Sequence, residues 1–142
     1  MARTVLINGG RVRYPQNISV GEHFLGADEP VEVGGSDTGP DPYELLLSSL
    51  GACISITLRR YADRKQWPLE EVQVRLGYGR GHADDCATCD GELKLIDVIN
   101  VQLSVMGDLS EEQRRRLLEI AGKCPVHRTL TSPIQINTRL TP

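Results

Sequence analysis

The pattern of apolar and polar positions changes early in the chain, and the change separates two kinds of element. Residues 3–33 alternate loosely between apolar and polar side chains, with turn-forming glycine, asparagine and proline residues between the runs. This pattern predicts short antiparallel strands. Residues 34–42 are rich in glycine, aspartate and proline. We interpret them as a loop that leads into the first helix.

The first helix is marked by its start, its uncharged middle and its end. Asp41 is a suitable N-cap, Pro42 fits the first helical position, and Glu44 completes a capping box with Asp41. No charged residue follows before Arg59. Because a helix that is apolar on all sides is usually a buried one, we expect every face of this helix to be buried. The helix should end shortly before Pro68.

Alternating patterns return after this helix and predict three more strands. Residues 69–80 and residues 92–106 alternate between apolar and polar side chains, and the segment between them is interpreted as a hairpin tip. Residues 133–140 alternate again and predict a last strand. Because strands and helices come in blocks rather than in strict alternation, the predicted fold class is α+β, with an antiparallel sheet.

A second helix is predicted between the last two of these strands. Ser110 is its N-cap, Gln113 completes a capping box, and Gly122 marks its end. Its apolar side would be supplied by Leu117, Leu118, Ile120 and Ala121. A short helical turn should follow, beginning at Cys124 and Pro125.

Size and charge narrow the classes of function. A chain of 142 residues suits a single domain, residues 1–142, with one core. Its 16 basic and 19 acidic residues give no electrostatic reason to expect nucleic acid or an anionic membrane as partner. Without an apolar leader at its start, the chain is expected to be cytoplasmic. The 4 cysteines would then be reduced, and they would serve core packing, metal binding or redox chemistry.

Cys53 and Cys124 each have a structural and a chemical interpretation. Cys53 lies in the middle of the apolar helix, where a free cysteine is an ordinary core residue. Cys124 directly precedes a proline, so it would cap a helical turn whose unpaired N–H groups stabilise a thiolate. Lys123, His127 and Arg128 would add positive charge nearby. Equally, Cys124 could be no more than a small residue that starts a helix.

A second group of candidate residues lies in the predicted hairpin tip. His82, Cys86 and Cys89 have the spacings H-x3-C and C-x2-C. Two thiolates and an imidazole at these spacings are able to bind zinc. Alternatively the two cysteines form a dithiol relay that passes electrons to Cys53 and Cys124, or they are reduced thiols of a flexible tip. The sequence leaves these three interpretations open.

The two stretches "GPDPYELLLSSLGAC" and "KCPVHRTL", taken together, resemble the osmotically inducible protein C / organic hydroperoxide resistance (OsmC/Ohr) family. The resemblance implies an intertwined α+β homodimer with thiol peroxidase activity and no required cofactor. Its substrate would be a small organic hydroperoxide. Cys53 would be the peroxidatic thiol and Cys124 the resolving thiol, and a dithiol reductant of unknown identity would reopen their disulfide.

Two positions depart from the pattern that the resemblance implies. The family's peroxidases have a glutamate ten residues before the first cysteine, where this chain has Tyr43, and Glu44 follows one residue later. Glu44 is the candidate catalytic carboxylate, although one residue turns a helix by about 100°. Arg11 or Arg13 would be the arginine that pairs with it, and His23 is a further polar candidate. The alternative function is therefore an OsmC-like metal- or ligand-binding protein without efficient peroxidase activity.

The zinc interpretation predicts a metal content that depends on the two cysteines of the tip. We expect protein purified without chelator to carry zinc, and a Cys86→Ser/Cys89→Ser variant to have lost it, because thiolates supply most of the affinity. Inductively coupled plasma mass spectrometry measures the zinc bound per chain. Equal zinc in the parent and the variant would contradict this interpretation.

Overall fold

The computed structural model describes residues 2–82 and 95–142, with His82 described for its backbone alone. The chain forms two compact units, Met1–Leu46 and Leu47–Pro142. Helix α1, at Pro42–Lys65, begins in the first unit and continues through the second. The organisation as one domain stays a prediction.

The first unit contains a small antiparallel sheet, as the alternating pattern predicts. Strands β1 (Leu6–Gly9), β2 (Gln16–Val20) and β3 (His23–Ala27) lie in the order β1-β2-β3. The turn between β2 and β3 places Gly21 at a φ of 58°, a conformation that glycine adopts without steric cost. One turn of 3₁₀ helix follows at Val31–Val33.

A buried carboxylate organises the loop that leads to helix α1. Asp28 is only 2% exposed. Its carboxylate accepts hydrogen bonds from the backbone N–H groups of Glu29, Ser36 and Thr38 and from the Thr38 hydroxyl, at 2.8 to 3.2 Å. Burial by itself would raise the pKa of Asp28, but the hydrogen bonds, led by that of the Thr38 hydroxyl, outweigh it and hold the pKa below its ordinary value.

Helix α1 begins and ends where its sequence predicts. At its start the Asp41 carboxylate accepts from the Glu44 N–H at 2.7 Å, and the Glu44 carboxylate accepts from the Asp41 N–H at 3.2 Å. At its end Gln66 adopts a left-handed conformation with a φ of 57°. The Trp67 N–H then donates to the Ala62 carbonyl at 2.9 Å, which completes a Schellman motif.

The prediction that helix α1 is buried all round is wrong for the single chain. Leu50, Ile54 and Leu58 are buried on one face, whereas Ile56 is 53% exposed. The reason is geometric, since the other elements of the second unit pack against one face only. Gly51 allows this packing to be close, because a side chain there would come within 2.7 Å of the Leu76 side chain.

A long hairpin forms the sheet of the second unit. Strands β4 (Leu69–His82) and β5 (Leu95–Gly107) are antiparallel and pair from Leu69↔Gly107 to His82↔Leu95. The partly buried side chains that pack against the core alternate along both strands, namely Val72, Val74, Leu76, Ile99, Leu103 and Val105. Both predicted strands are confirmed within the described residues, and the fold class is α+β with antiparallel sheets.

Two shorter helices complete the second unit. Helix α2 (Glu111–Ala121) has the predicted capping box between Ser110 and Gln113, and helix α3 (Pro125–Leu130) follows Cys124. Leu118 was expected on the apolar side of α2, but it is 62% exposed because it lies off the buried face. In the described parts of the chain, no helix combines the length and apolar character needed to cross a bilayer.

The strand predicted at residues 133–140 is not formed. This segment has no regular secondary structure and joins neither of the two sheets of the described chain, and Ile136 and Leu140 are highly exposed. A strand needs a hydrogen-bonded neighbour, and this segment pairs with none of the described strands of its own chain. The alternating pattern is therefore present without the pairing that it predicts.

The low pKa of Asp28 predicts how the stability of the chain depends on pH. Because the folded pKa lies below the unfolded value, near 3.8, the charge stabilises the fold above that value, and the contribution is lost as the pH falls through the folded pKa. We therefore expect Asp28→Asn to lower the urea midpoint at neutral pH, by an amount that shrinks below about pH 4. Asp37→Asn, in the exposed part of the same loop, is the control. A loss that does not change with pH would contradict the prediction.

Candidate active site

Cys53 lies in the middle of helix α1, at the edge of its buried face. It is one residue before Ile54 and three residues after Leu50, both of which are buried in the core of the second unit. Its own side chain is half-buried and carries a free thiol. Cys53 is therefore packed against the core and is still reachable from solvent.

Cys124 occupies the N-cap of helix α3, as its position before Pro125 predicts. Its backbone is extended, with φ −66° and ψ 148°, and its sulfur accepts a hydrogen bond from the His127 N–H at 3.3 Å. The side chain is fully buried in the same core as helix α1. The thiol is therefore fixed both by its cap and by its surroundings.

The two thiols are neighbours in the core although they lie far apart in the sequence. Cys53 packs against the core that contains Cys124, it raises the pKa of the Cys124 thiol, and both are free thiols. They belong to helix α1 and to the cap of helix α3, both within the second unit. The fold therefore brings two free thiols from distant parts of the sequence into the same region of the core.

Burial raises the pKa of the Cys124 thiol, whereas the sequence suggested a lowered pKa. The neighbouring Cys53 raises the pKa further. The N–H groups of His127 and Val126 act in the opposite direction but are outweighed. The expectation of a stabilised thiolate at Cys124 is therefore wrong, because the loss of hydration exceeds the effect of the helix start. Cys124 is held as a protonated thiol.

A small cavity is lined by two residues that each lie three positions from one of the cysteines, Leu50 and His127. It has a volume of about 220 Å³ and is lined mainly by apolar side chains, with Asp97, His127 and Thr131 as polar members. Leu50, one helical turn before Cys53, is part of its wall. The Asp97 carboxylate accepts from the Tyr78 hydroxyl at 2.7 Å and lies 3.5 Å from the Arg80 guanidinium. Asp97 was not among the candidates suggested by the sequence, although it is the one charge in the apolar run "LIDVINV".

Glu44 has a structural task at the start of helix α1. It completes the capping box with Asp41, nine residues before Cys53 in the sequence. Tyr43, which stands at the position of the family glutamate, is 53% exposed. A catalytic role of Glu44 stays a prediction.

The remaining candidates from the sequence belong to the first unit or fall outside the described residues. Arg11, Arg13 and His23 are exposed side chains of the first unit, and their part in catalysis stays a prediction. Cys86 and Cys89, with the side chain of His82, lie outside the described residues. Zinc binding and the dithiol relay therefore also stay predictions.

Most of this chain matches the model of a known protein family. A family model described as OsmC-like protein matches residues 34–139, which include both cysteines of the pair. The chain belongs to the OsmC-like protein family. No curated protein matches it.

Solved structures share the fold of this OsmC-like protein. An OsmC-like protein from Mycoplasma pneumoniae is 20% identical, covers 92% of this chain and 87% of its own, and has a TM-score of 0.72. The organic hydroperoxide resistance protein OsmC from Legionella pneumophila is 18% identical, with coverages of 92% and 90% and a TM-score of 0.66. The organic hydroperoxide resistance protein OhrB of Bacillus subtilis is 17% identical, with coverages of 92% and 91% and a TM-score of 0.61. At these identities the likeness concerns the fold.

The burial of Cys124 predicts that the two thiols react at different rates. In a Cys86→Ser/Cys89→Ser background, we expect iodoacetamide to modify Cys53 well before Cys124, because Cys124 is buried and its pKa is raised. Its modification should stay slow near pH 9, where an exposed thiol is ionised. Peptide mass spectrometry over a time course measures both rates. Guanidinium-unfolded protein is the control, in which the rates should converge; faster modification of Cys124 in the folded protein would contradict the prediction.

Proposed function

We propose that this OsmC-like protein is a thiol-dependent peroxidase that reduces small organic hydroperoxides through Cys53 and Cys124. The observation that carries the proposal is the proximity in the core of two free thiols of unequal exposure. The half-buried Cys53 is able to meet a substrate, and the fully buried Cys124 is not. The family relationship supports the proposal, since related structures include organic hydroperoxide resistance proteins.

In the first step the Cys53 thiolate attacks the peroxide. A sulfur–oxygen bond forms, the O–O bond breaks, and the alcohol leaves once its oxygen has taken a proton. Cys53 becomes a sulfenic acid, and the hydroperoxide has accepted two electrons. The accessibility of Cys53 favours this role over Cys124, whose raised pKa keeps it from competing as the first nucleophile.

In the second step Cys124 resolves the sulfenic acid. Its sulfur attacks the sulfur of Cys53, water leaves, and a disulfide forms between the two residues. Because the two residues are already neighbours in the core, this step needs little movement. A dithiol reductant then returns both thiols by disulfide exchange and is itself oxidised. We place the cycle in the cytoplasm, where such reductants keep thiols reduced.

The cavity lined by Leu50 and His127 supports an apolar substrate of modest size. Its walls include Leu50, Ile99 and Val101, and its volume of about 220 Å³ lies below the roughly 300–1,000 Å³ usual for drug-sized ligands. An alkyl or aryl group would bury apolar surface there while its peroxide group faces Cys53. A short organic hydroperoxide therefore suits this cavity better than a long-chain one.

We also propose that the chain acts as a homodimer. Helix α1 is apolar beyond the face that its own chain covers, as Ile56 shows by its exposure. The segment 133–140 keeps its alternating pattern without pairing to a described strand of its own chain, with Ile134 and Ile136 exposed. A second copy would bury both surfaces, and burial of apolar surface is the usual driving force for association.

The proposal predicts the product of each cysteine variant. In a Cys86→Ser/Cys89→Ser background, one equivalent of t-butyl hydroperoxide should convert the Cys53/Cys124 pair to a disulfide, seen by intact-mass and peptide mass spectrometry. Cys124→Ser should stop at a sulfenic acid that dimedone traps, because no resolving thiol remains. Cys53→Ser should consume peroxide no faster than unfolded protein. Hydrogen peroxide and cumene hydroperoxide test the preference for organic substrates.

Ala52→Ser provides the matched control for the change at Cys53. It adds a hydroxyl at the exposed neighbouring position of helix α1, so it should leave the rate of peroxide consumption unchanged. Circular dichroism confirms that each variant is folded. Consumption by Cys53→Ser at the rate of the parent would overturn the peroxidase proposal.

A further inference from the structure

A second, larger groove lies at the far end of helix α1 from Cys53. It has a volume of about 570 Å³, within the range of about 300–1,000 Å³ typical of small-molecule sites. Its walls come from the last turns of helix α1 and from helix α2, and they include Tyr61, Lys65, Trp67 and Arg115. Tyr61 follows Cys53 by eight residues, which is about 12 Å along a helix. The groove is therefore separate from the cysteine pair.

Three cations converge on the ring of Tyr61. The Arg64 guanidinium, the Lys65 ammonium and the Arg116 guanidinium lie 5.3, 5.8 and 5.7 Å from its centre. Arg116 also donates to the Tyr61 hydroxyl at 3.0 Å, and this hydrogen bond and the nearby positive charges lower the pKa of Tyr61. Like charges this close repel one another, so the region favours the arrival of a negative charge.

The carboxylates of the groove leave part of this positive charge unpaired. Glu119 lies 2.7 Å from the Arg116 guanidinium and pairs with it. Among the residues that the structure describes, neither Lys65 nor Arg115 has a carboxylate partner. The walls of the groove carry three cations, Lys65, Arg115 and Arg116. They carry two carboxylates, Glu112 and Glu119. This balance suits a ligand with one negative charge.

The aromatic side chains add a flat apolar surface. The rings of Tyr61 and Trp67 meet edge to face, with centres 5.4 Å apart and planes at 74°. Tyr61 is 9% exposed and Trp67 is half-buried, so both rings are held in place by the core. Rings fixed in this way are able to stack against or edge onto another aromatic ring.

We propose that this groove binds a small aromatic carboxylate. The ring of the ligand lies against Trp67, and its carboxylate lies between the side chains of Lys65 and Arg115. The guanidinium of Arg115 matches a carboxylate in geometry, since two of its N–H groups are able to donate in parallel. The proposal needs neither cysteine and is independent of the peroxidase chemistry.

The test uses 2-naphthoate as probe and the single tryptophan of the chain as reporter. The indole N–H resonance of Trp67 should shift saturably as 2-naphthoate is added to the full chain, and isothermal titration calorimetry should give the affinity. Lys65→Ala and Arg115→Ala should each weaken binding about tenfold or more, because each removes a charge-assisted contact. Arg60→Ala, an exposed arginine of helix α1 outside the groove, should bind like the parent.

Two further probes separate the contributions of ring and charge. The neutral amide 2-naphthamide lacks the carboxylate and acetate lacks the ring, so both should bind at least about tenfold more weakly than 2-naphthoate. Equal affinity for 2-naphthamide, unchanged binding in both groove variants, or a Trp67 resonance that does not move would each overturn the proposal. Cys53→Ser should bind 2-naphthoate like the parent, which keeps this result distinct from the fate of the peroxidase proposal.

Discussion

The packing of one face of helix α1 is the constraint on which the rest of the second unit depends. Leu50, Ile54 and Leu58 fix how far the helix is rotated about its axis, because each is nearly or fully buried. That rotation places Cys53 at the edge of the buried face and Tyr61 near its end. Since one residue corresponds to about 100° of rotation, a shift by a single position would separate Cys53 from Cys124.

The pair of cysteines shows two physical effects in competition. The start of helix α3 offers N–H groups to the sulfur of Cys124, and burial in the core removes water from it. Burial has the larger effect on the pKa. In the proposed cycle this keeps Cys124 unreactive until Cys53 has been oxidised, so the order of the two steps follows from the order of exposure.

Features set by neighbouring residues could be predicted from the sequence, and features set by distant residues could not. The capping boxes at Asp41 and Ser110 and the cap at Cys124 were predicted correctly, because each depends on a few consecutive residues. The burial of Asp28 was missed, since its partners lie up to ten residues away and most of them are backbone groups.

The features of the candidate site also fall into those set by neighbouring residues and those set by distant residues. The two stretches that carry Cys53 and Cys124 indicated the pair, but their proximity in the core and the raised pKa of Cys124 depend on tertiary packing. The cavity wall at Asp97 and the groove at Trp67 are assembled from separate elements, so no local sequence pattern predicts them. The predicted strand at residues 133–140 failed for a related reason, because alternation says nothing about the presence of a neighbour.

The two-strand sheet of the second unit has a consequence for solubility. Strands β4 and β5 pair only with each other among the described strands, so each presents an outer row of backbone N–H and C=O groups. Long edges of this kind act as templates for intermolecular strand addition, and the apolar alternation along them strengthens that tendency. A chain whose edges stay open in this way is therefore exposed to aggregation by strand addition.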